Sequence, residues 1–526
     1  MKELKTKKGM IIGGAAIAAA AVVGIGVFAV ASKDPKTVVT DAFKGVYAAD
    51  RVNPSEEMFG LGQLFEQFET TGGEMGLEFT YTGANDEILD MLTGSGITVK
   101  AASDVVNRKF SEQIGILYSG MELGNLTIYG DENDLMAALP DLTTKVLTIH
   151  YAEDLSEQIA NSPLMAMSGY EIGEEEKQAI DNYVSYLTSI YSGEKKPFDL
   201  KGLWQRYKEG SQAMESFKEA LTVTKADSAQ LLYNGSEQKC TGYDVVVPKA
   251  ALIEFLKTTS SFFLEDESLK NDVMEYVMAL SVMDEISFDA ADWEELGTAC
   301  DQAIAQLDQI LDGDITMRVY ITKKGQLATM DASCKFTEEE TTLDMNVKAG
   351  LEGGSYPTQN GTLTITTTDG TDTIVAGLTK NGEYTDASYH SRLDGQIEYG
   401  GETMGIGYEN TYDRTTGDSV VQITLGGSEG LGINETEITI NGVVDELEKG
   451  KKIHYTMDSL VVKEPASGVF YEVSGAFYVG ELQSEIAAPK GEEMDVLAAS
   501  EEDWEELLNE IMMNLYSLIL GGGLSE

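Results

Sequence analysis

Two short runs in this 526-residue chain carry the residue types of a nucleophilic enzyme. Gly426, Gly427, Ser428, Glu429 and Gly430 match Gly-x-Ser-x-Gly. That pattern exposes a serine nucleophile when a strand enters it and a helix leaves it. "VVQITL" supplies the strand, but "LGINETEITI" follows with the alternation of another strand, so the run reads as a Gly-rich hairpin turn. Ser192, Gly193, Glu194 and Lys195 match Ser-x-x-Lys, whose serine should open a helix. Pro197 follows at once, and neither Ser-Asp-Asn nor Lys-Thr-Gly occurs downstream. The acidic turns "DGD" (Asp312 to Asp314) and "DGTD" (Asp369 to Asp372) lack the remaining ligands of a calcium loop. Turn chemistry is the commoner cause of such runs, with weak calcium binding as the alternative. His150, His390 and His454 lie far apart, and no His-Glu-x-x-His, P-loop or Gly-x-Gly-x-x-Gly after a strand occurs. With 89 acidic residues, paired carboxylates carry no information. No catalytic, cofactor-binding or metal-binding residue is assigned, and the expectation is a protein that is not an enzyme.

Bulk properties narrow the function classes further. A hydrophobic content of 42% is that of a globular chain, whereas a formal charge of −52 is far from balance. So anionic a surface argues against nucleic acid as a partner, because that partner needs a cationic footprint. Cys240, Cys300 and Cys334 are too few and odd in number for a disulfide framework; one bridge with a spare thiol competes with three free, buried thiols, and the latter is favoured.

The elements that would have to position any site begin with an apolar segment. Residues 10–31, "MIIGGAAIAAAAVVGIGVFAVA", carry no charge, and as a helix they would reach ~33 Å, enough for a ~30 Å hydrocarbon core. Lys2, Lys5, Lys7 and Lys8 place residues 1–9 on the cytoplasmic side and the bulk of the chain outside. Ala29-Val30-Ala31 before Ser32 also fits a signal cleavage site, but the run is longer than a signal core and favours a retained single-pass anchor.

Beyond it, Asp34-Pro35 reads as the cap and first residue of a helix whose Val38, Val39, Ala42, Phe43, Val46 and Tyr47 share one face. Strand-like alternation follows at Met75, Leu77, Phe79 and Tyr81, and in several runs between Ile97 and Tyr151, with turns at "SDVVN" and "GDEND". "LLYNGSEQKCTGYDVVVP" is a hairpin by its Asn-Gly. Helical stretches occupy about 174–191, 200–222, 249–263 and 291–311. This makes 32–312 a mixed α+β domain. From 313 to 526 the texture is an antiparallel meander of some ten strands, with turn signals at Lys323-Lys324-Gly325, Asp369-Gly370, Asn381-Gly382, Thr416-Gly417 and Asn441-Gly442. One sheet face should be packed and the other wet, and an amphipathic C-terminal helix should close the domain.

One segment is used twice. "MDEISFDAADWEEL" (Met283 to Leu296) and "MDVLAASEEDWEEL" (Met494 to Leu507) agree at seven of fourteen positions. In each, the Trp (Trp293, Trp504) starts an apolar helix face; Ser500 to Asp503 makes a capping box, Asp289 to Asp292 resembles one, and the acidic first turns suit the helix dipole. The repeat reads as a helix start whose Trp docks on a sheet. Duplication of a sheet-plus-helix unit and chance stand level as its origin.

Taken with "NLTIYGDENDLMAALPDL", "EQKCTGYDVVVP" and "VYITKKGQLATMDAS", the basic tail, single span and closing helix resemble uncharacterised single-span, β-rich extracytoplasmic proteins of Gram-positive gut bacteria. At fold level the meander with a helix across it is also similar to the curved half-barrels of lipoprotein carriers, although the chain is larger and lacks a lipobox cysteine. The resemblance implies a cell-envelope protein and transfers no activity. The expected function is non-catalytic binding or accessory work, with an apolar or amphipathic ligand between sheet and helix. A scaffold or adhesion role through protein contacts is the alternative. A large apolar groove between sheet and helix would favour the first; a filled core with an exposed aromatic patch would favour the second.

Overall fold

The computed structural model describes residues 34–49, 54–85, 87–151, 154–191, 198–280, 288–339, 341–426, 435–465 and 467–522. The expected anchor at 10–31 and the Ser192–Lys195 run lie outside these residues, as does the Gly-x-Ser-x-Gly run after Gly426. Among the described residues no helix is long and apolar enough to cross a membrane.

The described helices are α1 (Pro35–Ala49), α2 (Pro54–Phe59), α3 (Leu61–Thr70), α4 (Glu87–Asp90), α5 (Leu155–Ala160), α6 (Pro163–Ser168) and α7 (Glu174–Tyr191). They continue with α8 (Leu200–Gly210), α9 (Ala213–Ala220), α10 (Lys249–Leu264), α11 (Glu267–Leu280), α12 (Ala290–Ile310) and α13 (Glu501–Gly522). The first strands are β1 (Gly72–Ala84), β2 (Gly96–Asp104), β3 (Lys109–Tyr118), β4 (Met121–Gly130), β5 (Asp134–Ala138) and β6 (Lys145–His150). A hairpin of β7 (Thr222–Tyr233) and β8 (Ser236–Val247) follows. The meander is β9 (Ile315–Ile321), β10 (Leu327–Glu338), β11 (Thr341–Gly353), β12 (Asn360–Thr368), β13 (Thr373–Tyr384) and β14 (Ser388–Tyr399). It runs on through β15 (Glu402–Asp413), β16 (Asp418–Gly426), β17 (Thr436–Glu448), β18 (Lys452–Glu464) and β19 (Val469–Gly480), and β20 (Glu492–Asp495) comes last.

Local chemistry sets these boundaries. Asp34 Oδ1 accepts from the backbone N–H of Lys36 and Thr37 and starts α1. Asn234 and Gly235 both take positive φ, 51° and 69°, the requirement of a two-residue type I′ hairpin turn between β7 and β8. The capping boxes before Trp293 and Trp504 both form: Asp289 with Asp292, and Ser500 with Asp503. In "DGTD", Asp369 Oδ1 accepts from the N–H of Thr371 and Asp372, so this carboxylate serves the turn between β12 and β13.

Two expected turns are strand interior instead. Asn381-Gly382 lies within β13, where a Cβ on Gly382 would stand 2.7 Å from the Tyr384 hydroxyl. Asn441-Gly442 lies within β17 at a register shift, where a Cβ on Gly442 would stand 2.3 Å from the Thr456 carbonyl oxygen. In both places the glycine answers a close approach rather than a chain reversal. The helical stretch at 200–222 is divided between α8 and α9.

All twenty strands belong to one sheet. Antiparallel neighbours run from β7 through β8 and β9 along the meander to β19. There β19 takes β1 as its next neighbour, with Glu74 opposite Gly480, and β2 to β6 follow in order. Parallel β20 pairs with β6 at the end. The sheet therefore crosses the division expected at 312/313 three times, at β8–β9, at β19–β1 and at β20–β6. The main core crosses it too: Val39 and Phe43 of α1, Leu252 of α10 and Leu307 of α12 pack with Val319, Met330, Phe336 and Val347 from the strands beyond it.

The closing helix also takes a different place. Instead of lying over the meander, α13 packs Trp504, Leu507 and Ile511 on Leu147 of β6 and Met494 of β20. Trp293 is buried against helix rather than sheet, its Nε1 donating to the Leu264 carbonyl at the end of α10. The two repeated segments thus share a way of starting a helix and dock on different partners.

Candidate functional site

The site is built by strand alternation. In β12, Leu363 and Ile365 point to one face and Thr362, Thr364 and Thr366 to the other, and the antiparallel register carries this division across the sheet. One transverse row reads Tyr243, Val319, Met330, Ala349, Leu363, Leu378, Gly395, Ile406 and Leu425 from β8 to β16. The next row reads Val347, Ile365, Ala376, Ile397 and Met404. Farther along, the same face presents Val462, Tyr471, Phe477, Phe79, Ile97 and Ile116. The opposite face carries Asp394, Glu398, Gln422, Glu437, Glu472, Glu78 and Lys100.

Helices cover only part of the apolar face. Over β8 to β11 it is sealed by α1, α9, α10 and α12, and Val319 is fully buried. From β13 onward the same row is open, with Leu378 38% and Ile406 51% exposed. Ile97 and Ile116 are also exposed at the far end. The expectation that this face would be packed thus holds for one stretch and fails for the next, because α1 is the last helix over it before β13. An uninterrupted apolar strip across this many strands exceeds the scattered exposed side chains of an ordinary surface.

Where cover ends, the face forms a trough. A hollow of about 310 Å³ lies between Phe43 and Val46 of α1 and a floor of Met330, Leu351, Leu363, Leu378, Lys380 and Leu393. It shares Leu363 and Leu378 with a second hollow of about 300 Å³ floored by Ile365, Ala376, Ile397, Met404 and Ile406. Gly395 lies between Leu378 and Ile406 in the row, where a Cβ would stand 2.8 Å from Ile406 Cγ2, so its lack of a side chain deepens the trough.

At one end the face turns polar. Along β13 the series Ile374, Ala376, Leu378 gives way to Lys380, Gly382 and Tyr384. Beyond lies a cleft of about 420 Å³ lined by Tyr356, Tyr384, Tyr389, Asp386 and Arg414 with Glu57 of α2. Tyr384 and Tyr389 stack at 4.8 Å, and Tyr356 donates to Glu57 Oε2. Burial pushes the Tyr356 and Tyr384 hydroxyls up to about 12, so both remain protonated donors at neutral pH.

The residues weighed as chemistry in the sequence do not converge. His150 pairs with Asp134 and Glu493, His390 with Glu409, and His454 with Asp445, on separate parts of the sheet. Cys240, Cys300 and Cys334 are free, and burial raises the Cys334 thiol to about 12, which holds it in the unreactive protonated form. β16 enters the Gly-x-Ser-x-Gly run, and the chain next joins the sheet as β17, antiparallel to β16, with Leu425 opposite Thr436. Among the described residues no group of three or more His, Cys, Asp or Glu is placed to hold a metal ion.

No protein-family model matches the chain, and no curated protein matches it. Among solved structures, Pseudomonas aeruginosa OpdQ is similar at 8% identity and a TM-score of 0.13, over 78% of this chain and 96% of that one.

Proposed function

We propose that the protein is a membrane-anchored, extracytoplasmic, non-catalytic binding protein that holds an apolar or amphipathic ligand in the trough between α1 and β10–β15. The observation that carries this reading is the register row itself, fully buried at Val319 and open from Leu378 to Leu425. Apolar surface left in water costs about 25 cal/mol per Å² relative to burial, and a ligand laid in the trough recovers that term without refolding anything. Position adds support. Three residues, 32–34, separate the expected anchor from α1, so its end and Pro35 stand at most ~14 Å apart, and Phe43 is ~12 Å along the helix from Pro35. With the proposed anchor retained, a trough so placed would open near the bilayer surface, where apolar ligands are concentrated. The polar rear face and the net charge of −52 keep the rest of the sheet solvated.

Native mass spectrometry of the full chain purified from its own host tests this, with Leu378→Asp as the control. A lipid-sized adduct on the wild type that is lost in the variant supports the reading. A co-purifying protein on the same face would support an envelope scaffold or adhesion role instead, and a bare wild-type chain would count against both.

A further inference from the structure

We infer that the ligand is a long-chain carboxylate whose head group pairs with Lys380 while its acyl chain lies over Leu378, Ala376 and Ile397. The inference rests on the binding reading above and adds the head group to it. Lys380 is a floor residue of the trough, on the apolar side of the sheet, opposite Gly361 on β12 and Leu393 on β14. Among the described residues it has neither an ion-pair nor a hydrogen-bond partner. Its cross-strand neighbours, Gly361 and Leu393, carry no charge that could serve it. Several cations on the opposite face are paired: Arg318 with Asp244, Arg392 with Asp394 and Glu409, Lys335 with Asp344. An ammonium set among leucines invites a single anion that arrives with its own apolar tail.

The geometry fits such a molecule. At ~3.3 Å per residue along β13, Lys380 stands ~13 Å from Ala376 and ~20 Å from Ile374. Apolar floor therefore extends from the ammonium for about the length of a long acyl chain, while Gly382 and Tyr384 on the other side of Lys380 lead to the polar cleft. The overall charge repels anions at long range, so selection of an anionic head must come from a local cation. The competing account is that Lys380 reaches past the trough into water and only its methylene stem packs there.

Parinaric acid and its methyl ester separate these accounts, titrated by polyene fluorescence into the full chain in nanodiscs with empty nanodiscs subtracted. The wild type should prefer the acid about tenfold, the scale of one charge-assisted hydrogen bond. Lys380→Gln should bring the ratio to about one by weakening acid binding about tenfold, and Lys380→Glu should favour the ester. Equal binding of acid and ester by the wild type, or an acid preference that survives in Lys380→Gln, overturns the head-group assignment and leaves the apolar trough standing. If neither probe binds the wild type, the trough reading falls with it.

Discussion

Val319 on β9 and Ile406 on β15 occupy one transverse row of one sheet face, yet the first is fully buried and the second is 51% exposed. Their strands share the same alternation of apolar and polar residues. What differs lies elsewhere in the chain: α1, α9, α10 and α12 spend their apolar faces on β7 to β11. A half-buried pattern in a strand states that one face is apolar. It does not state what covers that face, and here a ligand is the cover proposed for the open stretch.

The comparison breaks most severely if the chain is cut at the expected boundary. Expressing 32–313 and 314–526 separately removes β9 from beside β8 and takes the covering helices off Val319, Met330 and Phe336. Neither piece should give a cooperative thermal transition. A sharp melt from the second piece alone would mean that the meander needs no helical cover, and the contrast between the two stretches would lose its force.

Next in size is a matched pair of truncations. Phe336→Ala on the sealed stretch should cost ~3–5 kcal/mol, the usual range for removing a fully buried aromatic. Ile406→Ala on the open stretch removes side-chain atoms already half in water and should cost less than ~1 kcal/mol. Urea denaturation of both variants measures the difference. Comparable losses would show that the open face is covered in solution.

Much of this fold is legible in the sequence, and the failures have physical causes. Caps at Asp34, Asp289 and Ser500, and the Asn234-Gly235 turn, are local chemistry and stand in the structure where the residues put them. The pairing of β1 with β19 is invisible to periodicity, because an edge strand does not encode which distant edge it will meet. Lys380 is hidden for a more specific reason. Asn381-Gly382 reads as a hairpin tip, which would put the neighbouring lysine in solvent, whereas β13 continues to Tyr384 and sets Lys380 in the trough floor. The trough is likewise absent from local pattern, since it needs the register of six strands and the end of one helix.

The repeated helix starts offer a smaller contrast. Trp293 is 7% exposed with its Nε1 satisfied by the Leu264 carbonyl, whereas Trp504 is half-buried and its Nε1 is buried without a partner. Trp293→Ala should therefore cost ~3–5 kcal/mol and Trp504→Ala less, since the second indole brings a desolvated N–H that offsets part of its packing. Single-tryptophan variants should show a bluer emission for Trp293. The reverse order would mean that α13 docks more tightly on β6 and β20 than its burial indicates.

The smallest effect is one of pH, and it should be confined to the end of the sheet farthest from β7. His150 closes β6, where Nδ1 meets Asp134 on β5 at 2.6 Å and Nε2 meets Glu493 on β20 at 3.2 Å. The hydrogen bond to Asp134 holds the imidazolium and raises its pKa above the ordinary histidine value, with the charges of Asp134, Asp495 and Glu493 adding and burial opposing. A pKa raised on folding contributes stability in full below the unfolded value of ~6.5, and that contribution is lost as pH climbs through the folded value. Raising pH from 6 to 8.5 should thus loosen the β5–β6–β20 edge, but only slightly, because the ring is 43% exposed and solvent screens the pair. Trp504 reports it, since its ring packs beside Leu147 of β6 and Met494 of β20. In a chain retaining only that tryptophan, emission should drift to longer wavelength across this window, and His150→Gln should flatten the drift. Parinaric acid bound in the trough should be indifferent to the same variant, because Lys380 and Leu378 lie on β13 and His150 on β6. If His150→Gln moves trough affinity as well, the sheet transmits strain along its strands, and its covered and open stretches cannot be treated as energetically separate.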